Sequence, residues 1–430
     1  MSGAISRWIN ERAPSLVPMY RKHLSEYYAP KNFNVMYYFG SLAMLVLVNQ
    51  ILTGIFLAMF YKPSALEVFH GTSEAFASVY YIMRDVNWGW LIRYMHTTGA
   101  SMFFVVVYLH MFRGLMYGSF KKPRELVWIL GMLIFLALMA EAFMGYVLPW
   151  GNMSFWGAKV IISLFGAIPY VGETLVHWIM GDFSPADATL NRFFSLHVVA
   201  LPMVLLLLVV LHLAALHEVG SNNPDGVEIK KHKNERGIPL DGIPFHPYYT
   251  VKDLFGVGVF LMVCAFIIFY APTMGGWFLE HDNYIPANHL VTPAAIRPVW
   301  YFTPFYAILL MIPFKLPGVL AMFVGIFLLF LTPWIDRGAV KSIRYRGMGF
   351  KVALGLFAIS FIGLGLVGAE VINEVVPQIF GPAADVTFWR NVFGRIMLAI
   401  YFGFFVFLWI YTYFGLEKTK PVPERVTTHD

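Results

Sequence analysis

Four histidines stand inside apolar stretches of this chain, His96 and His110 in one, His197 and His212 in another. Imidazole binds metals readily and changes charge near neutral pH, so its chemistry in such a place is ligation or proton transfer. A lone histidine at membrane depth is often a helix–helix hydrogen bond. Two stretches with two each, at nearly matched spacing, point instead to paired ligation, since ionisable residues at that depth are rare and usually functional. Fourteen residues of α-helix rise about 21 Å and return to within about 40° of the starting direction. Each helix therefore offers one ligand near each face of the membrane. If the two helices run the same way, His96 faces His197 near the outer side and His110 faces His212 near the inner side. Bis-histidine haem is the natural occupant, giving two non-covalent b-type haems.

Glycine repeats the spacing. Gly40 and Gly54 lie fourteen apart in one apolar stretch, and Gly131 and Gly145 fourteen apart in another. A flat, wide haem enters a four-helix bundle only where facing backbones lack side chains, although small-residue helix packing alone produces similar patterns. His197 and His212 are fifteen apart, with Pro202 between them. A local widening of the helix near Pro202, which removes a backbone donor, is expected to absorb the extra residue. Haem propionates need cationic or hydrogen-bonding partners; Arg93 and Arg113, one turn from their histidines, suit carboxylates. The indole N–H of Trp128 is a further candidate.

The elements that must position these residues follow from composition. Of 430 residues, 58% are apolar and only 13% charged, and mean hydropathy is +0.64, too apolar for a soluble chain of this length. Eight apolar runs are long enough to cross a bilayer as helices, roughly 35–61, 91–117, 127–150, 196–216, 253–272, 318–335, 350–370 and 390–414. The termini and even-numbered connections hold 22 of the 31 basic residues, among them Arg21, Lys22, Lys121, Arg124, Lys230, Arg346 and Lys420. Both termini are therefore expected in the cytoplasm. The formal charge of +6 reports topology rather than nucleic-acid binding. The single cysteine, Cys264, excludes disulfides, thiolate-bound iron–sulfur clusters and covalent c-type haem within this chain. No cleaved secretory signal is visible.

The fold expected is an all-α integral membrane protein of eight transmembrane helices. A four-helix bundle over residues 1–225 would hold two stacked haems, and residues 226–430 would add four further spans. The polar tail from Glu417 to Asp430 is expected to be mobile.

Longer strings carry a resemblance. Arg93-Tyr94-Met95-His96, Gly145-Tyr146-Val147-Leu148-Pro149-Trp150-Gly151, Met153-Ser154-Phe155-Trp156-Gly157, Ser221-Asn222-Asn223-Pro224 and Pro244-Phe245-His246-Pro247-Tyr248-Tyr249 resemble cytochrome b of the respiratory bc complexes over nearly the whole chain. The resemblance implies a quinol–cytochrome c reductase core in a membrane of lipids, with a Rieske iron–sulfur protein and a c-type cytochrome as companions, in a homodimer. The absence of a transit peptide points to a bacterial inner membrane, although mitochondrially encoded chains lack one too. It also implies two quinone pockets. At the outer one, quinol gives one electron to the iron–sulfur protein and one to the outer haem; Tyr146, Gly157, Pro298, Trp300 and Tyr301 match it, with Gly157 opening a surface helix between the third and fourth spans. At the inner one quinone is reduced; His217, Ser221, Lys252 and Asp253 match it.

One departure matters. The family commonly carries Pro-Glu-Trp-Tyr before the sixth span, where the Glu is thought to accept a quinol proton, whereas this chain has Pro298-Val299-Trp300-Tyr301. Valine carries no proton, and quinol deprotonation needs a positioned acceptor. Glu141, a carboxyl inside the third span close to Gly145 and Tyr146, is the expected replacement, with His289 a rival. Its bland alternative is a neutral buried carboxyl bonded to a neighbouring helix. A dihaem anchor of another quinone-linked dehydrogenase is the competing function; a secondary transporter fits less well, since its charges cluster at the midplane.

Overall fold

The computed structural model describes residues 4–20 and 26–427; Arg21, Lys22 and the last three residues lie outside them. Among the described residues, eight helices are long and apolar enough to cross a membrane: Val35–Ala58, Gly89–Tyr117, Glu125–Val147, Asp187–Val219, Phe245–Tyr270, Lys315–Ile335, Met348–Gly368 and Val386–Tyr413. They are called spans one to eight below, and each coincides with one of the eight apolar runs. Span four starts well before its run, because the amphipathic segment Asp187–Ser195 carries Asp187 in its first turn, where a carboxylate favours the helix N-terminus. Exposed Met203, Leu207 and Val210 on span four, and Met262 and Phe266 on span five, present side chains that only hydrocarbon covers favourably. The chain is an integral membrane protein.

Span one packs along span two, span three along span four, and span seven along span eight. A short apolar helix, Thr303–Met311, inserts beside spans six and seven. One buried cluster joins Leu42, Phe104 and Phe135 of the first three spans to Phe305 of the short helix and to Phe357 and Tyr401 of spans seven and eight.

The widening expected near Pro202 is present. Residues Leu196–Ala200 form a π-helical turn, and the N–H of Leu201 bonds the carbonyl of Leu196, five residues back. The wider turn accommodates the additional residue between His197 and His212, and it contains His197 itself.

The tail contradicts its expectation. Arg346, fully buried, bonds Glu417 through two nitrogens at 2.8 Å each and also pairs with Asp336, which Lys121 approaches at 2.7 Å. Farther on, Arg425 bonds Asp241 at 2.6 and 2.8 Å, and Thr427 bonds Asp225. Polarity alone suggested mobility; as far as Thr427, the polar groups are instead the partners of charged loops. These loops meet closely: a Cβ at Gly118, whose φ is +66°, would stand 2.6 Å from the Lys341 carbonyl oxygen.

Candidate functional site

At the level that the charge pattern makes the outer one, His96 of span two and His197 of span four face each other with ring centroids 6.2 Å apart. The Thr53 hydroxyl of span one lies 2.6 Å from the Asn49 carbonyl, to which it donates, and 2.8 Å from Nδ1 of His96. With its single proton spent on Asn49, it accepts from His96 Nδ1–H, which leaves the unprotonated Nε2 with its lone pair free to ligate a metal. His197 makes the matching arrangement, its Nδ1 lying 2.9 Å from the Glu141 carbonyl oxygen. The backbones of Gly54 and Gly145 lie against these rings: an added Cβ would stand 3.3 Å from His96 Cε1 and 2.4 Å from His197 Cε1.

At the inner level, His110 and His212 face each other with centroids 6.4 Å apart. Gly40 and Gly131 lie against them, each added Cβ falling 3.3 Å from the ring. The Arg113 guanidinium lies 4.8 Å from the Tyr37 ring centre and reaches Ser119 and His110 at 3.3 Å, while its buried Nε has no hydrogen-bond partner among the described residues. Trp128, the further propionate candidate, donates its one N–H to the Leu329 carbonyl of span six at 2.7 Å.

These observations fit a tetrapyrrole held between each histidine pair. Two imidazole–metal bonds of about 2 Å each, plus the ring radius at both ends, span the observed separations. The orphaned Arg113 Nε suits a carboxylate. The glycines, expected to make room for the plate, stand directly beside the histidine rings.

A cavity of about 320 Å³ extends from the outer histidines toward the outer loops. Arg93, Gly54, Gly145, Glu141, His96 and His197 line one part, and Tyr146, Glu280, Val299 and Tyr301 another. A smaller cavity of about 30 Å³, lined by Gly157, Pro298 and Tyr306, shares Tyr146 and Val299 with it. Gly157 lies within the helix Asn152–Leu164 rather than at its start, and a Cβ there would meet Tyr146 at 3.6 Å. Tyr301 stacks on Phe104 with centroids 4.0 Å apart. Trp300 lines neither cavity; its indole donates to Ser101 of span two at 3.2 Å.

The acidic residues separate. Glu141 Oε1 lies 3.0 Å from His197 Nδ1, and its Oε2 is buried without a hydrogen-bond partner among the described residues. The carboxylate beside the tyrosine is Glu280, which accepts a hydrogen bond from the Tyr146 hydroxyl. Burial raises the Glu280 pKa to about 7, against the pull of Tyr146 and Arg297. Sequence reasoning missed it, because it follows Trp277-Phe278-Leu279 in an irregular loop without periodicity. That acidic residue behind an apolar triplet was the available signal. His289 stacks on Phe155, its ring centroid 4.2 Å away, and does not line either cavity.

Near the opposite ends of the spans, His217 and Ser221 meet through Tyr27. The Tyr27 ring lies 4.6 Å from that of His217, and its hydroxyl is 3.0 Å from Ser221 Oγ. Lys252 lies over the Tyr249 ring at 5.4 Å, with Asp253 beside it in span five. A two-stranded pairing of Tyr28–Pro30 with Gly242–Pro244 connects the two groups, and the Tyr249 hydroxyl donates to the Pro30 carbonyl at 2.5 Å. Tyr27 was also missed, since nothing in its own neighbourhood marks it.

Known proteins resemble this chain over nearly its whole length. Residues 24–220 match the family model described as Cytochrome b/b6/petB, and residues 286–389 match Cytochrome b(C-terminal)/b6/petD. A protein named Cytochrome b from Allochromatium vinosum is 56% identical over 429 residues, covering 98% of each chain. One of the same name from Rhodospirillum rubrum is 51% identical over 423 residues, covering 98% of this chain and 96% of that one. A solved structure titled Hyperthermophilic respiratory Complex III superposes with a TM-score of 0.82 at 37% identity, covering 95% of this chain and 98% of that chain.

Proposed function

Because this chain belongs to the cytochrome b family, we propose that it oxidises quinol at the outer cavity, with one electron passing to each of two acceptors, and reduces quinone near His217, Ser221, Lys252 and Asp253. That it serves electron transport as the core of a complex III-like oxidoreductase follows from the family itself. The observation that carries the finer reading is the pair of facing histidine pairs, at 6.2 and 6.4 Å, each flanked by two glycines.

Bound between these pairs, b-type haems supply one-electron redox chemistry at two depths of the membrane. The protein's part is to hold and tune. Thr53 and the Glu141 carbonyl fix the outer imidazoles, and Arg93 and Arg113 would bind propionates. Spans one to four form this bundle, and spans five to eight, with the loop from Pro298 to Tyr301, build the walls of the quinone sites. In the outer cavity, the Tyr146 side chain and the bare backbone of Gly157 leave space for a flat ring next to Pro298. On the inner side, His217, Ser221 and Lys252 offer donors to quinone carbonyls, while Asp253 and His217 supply protons from the cytoplasm. Both termini face the cytoplasm of a bacterial inner membrane in this reading, and the excess of basic residues on the even connections supports it. The partners are an iron–sulfur protein of the Rieske class and a c-type cytochrome, within a homodimer. Quinol oxidation outside and quinone reduction inside together contribute to a proton gradient.

The test is reduction of a soluble c-type cytochrome by a short-chain quinol in the purified complex. Quinol-dependent activity that is abolished in His197→Ala supports the reading. A complex that assembles but shows no quinol-dependent reduction contradicts it.

A further inference from the structure

We propose that Glu280 is the base that takes the proton from the quinol hydroxyl in the outer cavity, an inference that rests on the quinol-oxidising reading above. Three observations converge on it. Glu280 is only 8% exposed although it belongs to a loop, so its carboxylate is held inward. It lines the same cavity as Tyr146, Val299 and Tyr301. Its one hydrogen bond there comes from the Tyr146 hydroxyl, a contact that a quinol hydroxyl can replace with like chemistry.

The position also meets a need. Val299 lines both outer cavities and offers no proton acceptor. Glu141 stands on the histidine side, its carboxylate beside His197. Glu280 is the carboxylate next to the residues Val299 and Tyr146 that the two cavities share.

Four groups face the Glu280 carboxylate: Tyr146 of span three, Tyr301 of the turn before the short helix, Arg297 of the outer loop and Asp282 on its own loop. Burial raises its pKa to about 7, against Tyr146 and Arg297, and Asp282 adds to the rise. A carboxylate so placed is ionised in part at neutral pH and basic enough to hold the proton it receives. In the step, the quinol O–H bond breaks and a carboxyl O–H bond forms, and the electron pair stays on the oxygen of the resulting quinolate. No oxidation occurs in this step. His281 and Asp282, both exposed, follow Glu280 directly, so the buried carboxylate lies one residue from the surface of the loop.

The experiment compares wild-type complex with Glu280→Gln, Glu141→Gln and the double variant Glu280→Gln/Val299→Glu, using a short-chain quinol from pH 5.5 to 9. Glu280→Gln is expected to lower kcat by roughly 100-fold or more and to remove the rise in rate through about pH 7, with the b-type spectrum unchanged. Glu141→Gln keeps that rise whatever its overall rate, since its main-chain carbonyl still holds His197, and Val299→Glu restores at least tenfold of the lost rate. A Glu280→Gln complex with wild-type rate and an intact rise overturns the proposal. If the glutamine variant fails to assemble, Glu280→Asp with and without Val299→Glu replaces it; a slow Asp variant that Val299→Glu does not speed also overturns it. Absence of quinol-dependent turnover in the wild-type complex would instead sink the functional reading.

Discussion

The backbone of Gly145 lies so close to the His197 imidazole that a Cβ would stand 2.4 Å from Cε1, inside any normal contact. The ring and the helix carrying Gly145 have no slack between them. Gly145→Ala should therefore displace His197 and cost the outer haem or alter its spectrum. Gly40→Ala, whose Cβ would sit 3.3 Å from His110, should be the milder change. Equal and full retention of both haems in the two variants, read from reduced-minus-oxidised spectra, would remove this account of the glycines.

Thr53 orients His96 by accepting from Nδ1–H while donating to Asn49. Thr53→Val keeps the shape and loses the acceptor, and outer-shell changes of this kind typically cost about 10–100-fold in metal affinity. Loss of the outer haem on dilution in detergent should be faster in the valine variant and near normal in Thr53→Ser. Valine behaving like serine would show that the hydroxyl does not matter.

The buried cluster of Arg346, Glu417, Asp336 and Lys121 fastens the tail. Removing one partner of a buried pair strands the other, typically at about 3–5 kcal/mol. Glu417→Ala should lower the midpoint of thermal unfolding in detergent by several degrees, and Arg425→Ala, an exposed partner, by much less. An unchanged midpoint for Glu417→Ala would contradict the anchoring.

Acid should weaken the inner loops in a definite window. Burial alone would raise the Glu228 pKa, but hydrogen bonds and charges from Arg124 and Lys341 override it and hold the carboxyl at about 2, down from 4.5. Because the folded value is the depressed one, the stabilisation is full above about 4.5 and disappears as pH falls toward 2. Thermal midpoints of wild type and Glu228→Gln should differ at pH 6 and converge on acidification. A gap that widens toward pH 3 would reverse the sign of this linkage.

What could be seen in the sequence depended on locality. The spans and the four histidines show in single apolar runs, because a long hydrophobic helix and an ionisable residue within it are both local signals. The π-turn at Leu196–Ala200 was foreseeable from Pro202 and the odd spacing of His197 and His212. Glu280 was not, since its partner Tyr146 stands 134 positions away and its loop has no repeat to mark an inward-facing position. Trp128 was legible as a donor but its acceptor was not: Leu329 stands 201 positions away, and only packing against span six brings its carbonyl to the indole. The tail misled because a polar segment reads alike whether solvent or buried arginine satisfies it.

The central claim is that this one chain holds two b-type haems, one between each histidine pair. A pyridine haemochrome assay on the purified complex, quantified per copy of the chain, tests it most directly. The account predicts two non-covalent haems b per chain, with one lost or altered in His96→Ala and the other in His110→Ala. One haem or none in the wild-type protein would contradict it.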